Sequence, residues 1–213
     1  MGYMINYEPI CEQQLLSFDC SPQLTQTIIE LVKKEQYVIG GGRNFCSVDT
    51  FLHKREEYKQ LIQWFDQCLD ECKQRIGFNF NGKFSITQCW ANQTRKGGLH
   101  VRHIHSNSLV SSVFYLTEQS APTYFTVKSI WHDKFDLPIQ NIKGIDLMHE
   151  LTPLTFIEPV VGRLVLFPSS LHHGVVKSDS VLPRFSMSFN TFIDGTIGEV
   201  DTFTHASFKV LDT

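Results

Sequence analysis

Three of the nine histidines in this chain lie within six residues, at His100, His103 and His105. Because alternate side chains of an extended strand project to the same face, His103 and His105 are predicted to point the same way, and His100 to point away from them. Two imidazoles on one face of a strand make half of a metal site. Taken alone, the segment is also explained by a polar strand with incidental histidines.

A second histidine pair, His172 and His173, follows a predicted buried strand at residues 162–167. Neighbouring residues of an extended chain point to opposite faces, so only one of the two can join a site formed by His103 and His105. Residue spacing alone does not say which of the two it is.

A polar strand face begins eleven residues after His173. Alternation predicts that one face carries Arg184, Ser186, Ser188 and Asn190 and the other carries Phe185, Met187 and Phe189. An arginine inside a β-structure needs an anionic partner, because burying its charge alone is costly. A carboxylate bound by Arg184, with Ser186 donating beside it, would satisfy both groups.

The elements that must position these residues are two helices followed by short strands. Ser21 and Pro22 are typical of a helix start, and a second helix is predicted from about residue 48 to 75, with Cys68 and Cys72 facing the core. Seven or more strands are then predicted, at residues 84–91, 99–105, 109–117, 123–128, 154–158, 162–167 and 184–192. This order predicts a β-sandwich or jelly roll backed by N-terminal helices.

The composition narrows the class of protein. With 213 residues, 42% hydrophobic residues and a net charge of −3, the chain is predicted to be globular and has no basic run that would indicate a nucleic-acid backbone partner. It shows neither a signal-peptide pattern nor an apolar stretch long enough to cross a membrane. Six cysteines without a Cys-x-x-Cys pair are expected to be reduced thiols, which favours a cytoplasmic location.

Taken together, these motifs resemble the Fe(II)/2-oxoglutarate-dependent dioxygenases, and most closely a group of 2-oxoglutarate/Fe(II) oxygenases of bacteria and phages. The likeness covers about residues 84–192. It rests on Trp90-Ala91-Asn92, His103-Ile104-His105-Ser106-Asn107-Ser108, Ser112-Val113-Phe114-Tyr115-Leu116, Phe167-Pro168-Ser169, His173 and Arg184-Phe185-Ser186-Met187-Ser188-Phe189-Asn190. Each piece is weak alone, and their order and spacing make the likeness specific.

The resemblance implies a mainly β fold, a double-stranded β-helix of the jelly-roll or cupin type. It implies that His173, not His172, joins His103 and His105 as metal ligands. It also implies that Arg184 grips the distal carboxylate of 2-oxoglutarate. In the same pattern Ser186 assists Arg184, and Tyr115 and Asn92 are further co-substrate contacts.

The chain departs from the wider superfamily at His105, where the usual His-x-Asp/Glu motif has a carboxylate. Two alternatives stay open: an all-histidine triad, as in cupin dioxygenases, or one proximal histidine with a carboxylate from elsewhere, for example from residues 129–151. Imidazole ligands suit iron, copper, nickel and zinc alike, so they do not by themselves fix the metal.

The function implied is an oxygenase that uses Fe(II), O₂ and 2-oxoglutarate, hydroxylates an unidentified substrate and releases succinate and CO₂. No catalytic side chain beyond the metal centre is predicted. Residues 129–151, with Trp131 and Phe135, are interpreted as a lid, and Trp131 and Asn190 as substrate contacts. The alternatives are a cupin-like three-histidine metalloenzyme that does not use 2-oxoglutarate and a non-catalytic jelly-roll binding or structural module.

One domain is predicted for residues 1–213: a helical part at 1–80, a β-helix core at 84–192 and a C-terminal extension at 193–213. The expected partner is a small molecule or another unidentified substrate, and a homodimer is a candidate assembly. The expected location is the cytoplasm, that of the host if a phage encodes the protein.

Overall fold

The computed structural model describes residues 15–40, 44–118, 121–126 and 154–211. The predicted lid at 129–151, including Trp131 and Phe135, lies outside the described residues. The elements are β1 (Leu16–Asp19), α1 (Pro22–Val32), β2 (Tyr37–Ile39), β3 (Asn44–Ser47), α2 (Lys59–Ile76), β4 (Asn81–Thr94), β5 (His100–His103), β6 (Val110–Tyr115), β7 (Thr123–Thr126), β8 (Leu154–Ile157), β9 (Arg163–Pro168), β10 (His172–Val175), β11 (Arg184–Ile197) and β12 (Ala206–Phe208).

Two antiparallel sheets form the fold. The larger has the strand order β1-β9-β6-β11-β4-β3-β2, with β12 added to β11, and the smaller has the order β5-β10-β7-β8. From β4 to β7, and again from β8 to β11, the chain alternates between the two sheets, as the predicted jelly-roll connection requires. The mainly β prediction and the double-stranded β-helix are confirmed. Strands β1, β2 and β3 were not predicted, since they are too short to show alternation.

Helix α1 begins where the sequence predicts. The Ser21 hydroxyl accepts a hydrogen bond from the Leu24 amide at 3.3 Å, and Pro22 occupies the first turn. The apolar side of α1 is buried at Ile28 and Val32.

The second helix begins later than predicted, at Lys59, after two short 3-10 helices at Leu52–Lys54 and Glu56–Tyr58. Arg55 between them is extended and donates from Nη1 to both carboxylate oxygens of Glu35 at 2.9 Å. The Tyr58 hydroxyl also donates to Glu35, at 2.8 Å. These contacts with the segment after α1 interrupt the helix, and the predicted start near residue 48 is wrong because local periodicity carries no signal of them.

The large sheet separates the hydrophobic cluster under the helices from a cavity between the two sheets. Its outer face packs on the two helices through Phe114, Met187 and Phe189, which meet Leu61 and Phe65 of α2. Cys68 and Cys72 are buried in the same core, as predicted. Its inner face is turned toward the small sheet, so side chains of alternate parity on β11 and β4 face a cavity.

A β-bulge in β4 changes which side chains reach that cavity. Asn190 pairs with Gln88 and the next residue of β11, Thr191, pairs with Ile86, so Thr87 is an extra residue on β4. As a result Ile86 lies in the helix-side core, whereas Trp90 lies on the cavity wall. Simple alternation would place these two residues on one face, because it assumes an unbroken register.

In the part of the chain that is described, no helix combines the length and the apolar composition needed to span a bilayer.

Candidate metal centre

His103 and His173 are cross-strand neighbours on β5 and β10. Their ring centroids lie 4.3 Å apart. The Nδ1 atoms of both rings lie 2.8 Å from a backbone carbonyl oxygen two residues earlier, at Val101 and Leu171 respectively. A ring that donates from Nδ1 leaves Nε2 with its lone pair free for a metal.

His105 reaches the same point from the loop that follows β5. Its backbone amide donates to the Ser169 carbonyl at 2.9 Å, and Asn107 turns the chain with a left-handed backbone (φ 57°). The Nε2 atoms of His105 and His173 are 3.2 Å apart. Two lone pairs at this distance would repel unless a cation or a proton lies between them.

The three histidines form a cluster whose ligand atoms all lie within 4.8 Å of one another. Burial lowers the pKa of His105 to about 4 and that of His173 to about 3, because an imidazolium loses its hydration there. Neutral imidazole is the form that binds metals. The donor set therefore fits a divalent transition metal, and His173 rather than His172 belongs to it.

The cluster contains no carboxylate from the described residues. Residues 129–151, the alternative source named above, lie outside the described part. Among the described residues, the arrangement of ligand atoms corresponds to the all-histidine alternative.

Arg184 lines the same cavity and is 1% exposed. Its Nη1 donates to the Ser186 hydroxyl at 3.0 Å, and its Nη2 lies 3.5 Å from the Thr123 hydroxyl. Its Nε has no hydrogen-bond partner, and no carboxylate of the described residues forms an ion pair with it. Burial lowers the pKa of this guanidinium. Its positive charge is therefore both buried and without a counter-charge from the described chain.

Tyr115 packs against Arg184 and does not itself line the cavity. Its hydroxyl donates to the Thr123 hydroxyl at 2.8 Å, and its ring centroid lies 5.5 Å from the guanidinium carbon. Burial raises the pKa of Tyr115, so the phenol keeps its proton. Sequence reasoning did not find Thr123, because a single threonine in a short strand carries no distinguishing signal.

The cavity between the sheets has a volume of about 460 Å³, within the range of small-molecule sites. The three histidines, Arg184 and Ser186 line it, together with Trp90, Asn92, Ser188 and Asn190. Two hydrogen bonds hold the Asn92 side chain. Its Nδ2 donates to the Ser188 hydroxyl at 3.3 Å, and its Oδ1 accepts from Asn44 Nδ2 at 3.3 Å. The Asn190 side-chain oxygen accepts from Ser111 at 2.9 Å.

His100 also lines this cavity, so the prediction that it points away from His103 is wrong. His103 pairs with His173, but His100 pairs with Val175, so two residues of β5, Val101 and Arg102, lie opposite the single Gly174 of β10. This bulge shifts the alternation by one residue and turns His100 to the side of His103, with ring centroids 6.4 Å apart. Burial, followed by the Arg184 charge, lowers the pKa of His100 to about 3.

Comparison with known protein families identifies the central part of the chain. Residues 88–190 match the family described as "Putative 2OG-Fe(II) oxygenase". This segment runs from the second half of β4 through the three histidines and Arg184 to Asn190 of β11. Comparison with the curated proteins found no match.

Several solved structures share the fold. A prolyl-4-hydroxylase from Pseudomonas putida is 16% identical, with 85% of this chain and 93% of that chain covered and a TM-score of 0.58. HygX from Streptomyces hygroscopicus, solved with nickel, 2-oxoglutarate and hygromycin B bound, is 13% identical, with 83% and 82% covered and a TM-score of 0.60. A prolyl hydroxylase from Trichoplax adhaerens, solved with a peptide fragment of hypoxia inducible factor, is 14% identical, with 84% and 83% covered and a TM-score of 0.56.

Proposed function

Since the segment 88–190 makes this chain a member of the 2OG-Fe(II) oxygenase family, we propose that its three-histidine cluster holds the iron and that Arg184 anchors 2-oxoglutarate. When bound, iron and 2-oxoglutarate supply an O₂-dependent oxidation in which 2-oxoglutarate becomes succinate and CO₂ and the substrate is oxidised. We propose hydroxylation as the outcome on the substrate.

His103, His105 and His173 would hold the metal through three neutral imidazoles. The Nδ1–carbonyl hydrogen bonds of His103 and His173 orient their rings, so these two ligands are ordered before the metal arrives. With three neutral ligands the metal keeps its full 2+ charge, which the dianion of 2-oxoglutarate would offset. The metal and the co-substrate would therefore balance each other's charge without a carboxylate ligand from the protein.

The buried Arg184 is the observation that carries the co-substrate assignment. A guanidinium that is 1% exposed and lacks a carboxylate partner from the described chain is costly by itself. A carboxylate that enters the cavity would supply the missing counter-charge through two parallel hydrogen bonds. Ser186 and Thr123 hold the guanidinium plane, and Tyr115 supports Thr123.

The remaining wall is proposed to receive the substrate. Asn92 is proposed as a further co-substrate contact and Asn190 as a substrate contact, and both line the cavity. Trp131 keeps its proposed role as a substrate contact on the strength of the sequence alone. A small molecule or a peptide group is the proposed substrate class, because HygX was solved with hygromycin B and the Trichoplax adhaerens enzyme with a peptide.

The cytoplasm remains the proposed location, and all five cysteines of the described residues are free thiols, which supports it. The homodimer stays a prediction.

Succinate formation tests this function. Iron-loaded protein is incubated with 2-oxoglutarate in air without substrate, and slow uncoupled conversion to succinate is expected. Arg184→Met should weaken 2-oxoglutarate binding by about 100-fold, because a charge-assisted bidentate contact is lost. Arg163→Met is the matched control, since Arg163 pairs with Asp19 on the protein surface.

Two outcomes would overturn the proposal. Iron-loaded protein that neither binds nor converts 2-oxoglutarate would indicate a three-histidine metalloenzyme of another kind. Protein without bound metal after purification, whose biological function survives His103→Ala combined with His173→Ala, would indicate a non-catalytic module.

A further inference from the structure

We propose that His100 and Arg184 bind the distal carboxylate of 2-oxoglutarate together, His100 from the small sheet and Arg184 from the large one. The inference rests on the function proposed above and adds a residue to it.

Two buried nitrogen atoms on the cavity wall carry the argument. His100 Nε2 and Arg184 Nε are both buried, and neither has a hydrogen-bond partner among the described residues. A buried polar group without a partner costs free energy, so native proteins rarely keep one without a reason. Both residues line one cavity, and one anionic group between them would satisfy both nitrogens.

The strand register of the small sheet and one hydrogen bond from Arg184 place the two residues at the same level of the cavity. Across the small sheet, His103, His173 and Phe125 are aligned in one row, which contains two metal ligands. The next row aligns His100, Val175 and Thr123. Thr123 is the residue whose hydroxyl lies 3.5 Å from Arg184 Nη2, so His100 forms one end of the second row and Arg184 lies beside the other end.

The separation of the rows suits the ligand. Side chains two residues apart on one strand face are spaced by about 6.6 Å, and the ring centroids of His100 and His103 are 6.4 Å apart. 2-Oxoglutarate is a five-carbon chain with its keto-acid group at one end and the distal carboxylate at the other. If the keto-acid end meets the first row, the distal carboxylate reaches the second.

Gly174 allows the small sheet to hold His100 in place. A Cβ atom at this position would lie 2.7 Å from the His100 carbonyl oxygen and 2.5 Å from the Tyr124 hydroxyl. Only a glycine therefore lets β5 and the Tyr124 side chain approach β10 this closely. The backbone of His100 is fixed by this contact, so its ring enters the cavity from a defined point.

The test compares ligands with and without a distal carboxylate. Protein loaded anaerobically with Fe(II) is titrated with 2-oxoglutarate and with oxalate, which offers a chelating end only, by isothermal calorimetry. His100→Phe keeps a ring of similar size but no N–H and should weaken 2-oxoglutarate binding about tenfold or more. Oxalate affinity and the affinity for Fe(II) alone should stay within about twofold of wild type, since neither uses the second row.

Two further variants complete the comparison. His100→Gln keeps an N–H donor and should recover most of the lost affinity for 2-oxoglutarate. His205→Phe, a change at an exposed histidine, should bind both ligands as wild type does.

Each contrary result has its own meaning. Unchanged 2-oxoglutarate affinity in His100→Phe would overturn the inference and leave Arg184 as the anchor. Equal losses of 2-oxoglutarate and oxalate, or weaker Fe(II) binding, would place His100 at the metal end and also overturn it. Wild-type protein that fails to bind 2-oxoglutarate at all would overturn the proposed function itself.

A measurement on the unaltered protein covers the case in which His100→Phe does not fold. Zinc-loaded, ¹⁵N-histidine-labelled wild-type protein is titrated with 2-oxoglutarate and followed by NMR. The His100 Nε2 resonance should shift with 2-oxoglutarate and stay in place with oxalate. If the chemical shift of His100 Nε2 does not change on addition of 2-oxoglutarate, the inference is overturned.

Discussion

His103 and His173 face each other directly across strands β5 and β10, and each ring is oriented by a hydrogen bond between its Nδ1 and the carbonyl oxygen two residues earlier in the chain. The pair is thus held by the sheet, whereas His105 is held by a loop whose amide donates to the Ser169 carbonyl. Two rigid ligands and one loop-borne ligand define the candidate metal site.

Removing one of the rigid ligands should remove the metal. His173→Ala is expected to weaken Fe(II) binding by about 100-fold or more, because changes outside the ligand set already cost 10–100-fold in metal sites. Metal content after anaerobic loading and desalting measures this. His172→Ala on the same strand should keep its metal, and full iron retention in His173→Ala would contradict the assigned ligand.

Replacing the loop-borne ligand by the superfamily's usual carboxylate separates the two ligand alternatives. In His105→Asp the side chain is shorter, so its oxygen falls short of the position of Nε2, and loss of iron by about tenfold or more is expected. Fe(II) titration together with succinate formation is the measurement. Unchanged iron and unchanged activity would mean that His105 is not needed as an imidazole ligand.

Arg184 should destabilise the protein when 2-oxoglutarate is absent. Replacement of a buried charge by an apolar side chain is often neutral or stabilising, by about 1–4 kcal/mol at most. Arg184→Met should therefore unfold in urea at no lower concentration than wild type. Adding 2-oxoglutarate at about 100 times the wild-type Kd should stabilise the iron-loaded wild type by about 2.7 kcal/mol, and the variant, whose Kd is about 100-fold higher, by only about 0.4 kcal/mol. Equal stabilisation of both proteins would argue against Arg184 as the anchor.

A serine network holds the His105 loop against the sheets. The Ser169 hydroxyl, buried at 1% exposure, donates to Ser108 at 2.7 Å and lies 2.7 Å from the Ser111 hydroxyl. Ser169→Ala should cost about 1–2 kcal/mol, since buried partners lose their hydrogen bonds. Urea unfolding measures the loss, and Ser207→Ala on an exposed position is the control. A loss as small as that of the control would show that the network contributes little.

Asp66 on α2 gives a pH-dependent prediction far from the metal ligands. Burial raises the pKa of its carboxyl from 3.8, so the folded state holds this proton more tightly than the unfolded chain. The contribution of Asp66 to the free energy of unfolding is then most favourable below pH 3.8 and is lost as the pH rises through the pKa of Asp66 in the folded state.

Asp66→Asn should therefore stabilise the protein at pH 7 by roughly 0.5 kcal/mol, a small gain because the group keeps part of its hydration. The gain should shrink as the pH falls from 7 toward 4, because burial makes the folded wild type take up the Asp66 proton at a higher pH than the unfolded chain does. Urea unfolding at both pH values measures it, with Asp201→Asn at an exposed position as control. A gain that grows at lower pH would contradict the sign.

The residues of the site could largely be read from the sequence, because their side-chain chemistry is unusual wherever it occurs. Histidines 103, 105 and 173 and the Arg184–Ser186 pair carry the donor groups that a metal ion and a carboxylate require. The polar face of β11 was predicted without error, since this strand keeps its alternation through Asn190. The β-helix was predicted from the order of helices and strands together with the family resemblance.

Only the tertiary structure decided what depends on register and on distant contacts. The bulges at Thr87 and in β5 moved Trp90 and His100 onto the cavity wall, because one extra residue in a strand reverses every later side chain. The bond from Arg55 to Glu35 delayed the start of α2, and the neighbours of Arg184 came from β7 and β6. The chain by itself determined which groups could bind a metal and a carboxylate. The distances between these groups, and the position of His100 on the cavity wall, followed from strand pairing that no local sequence pattern encodes.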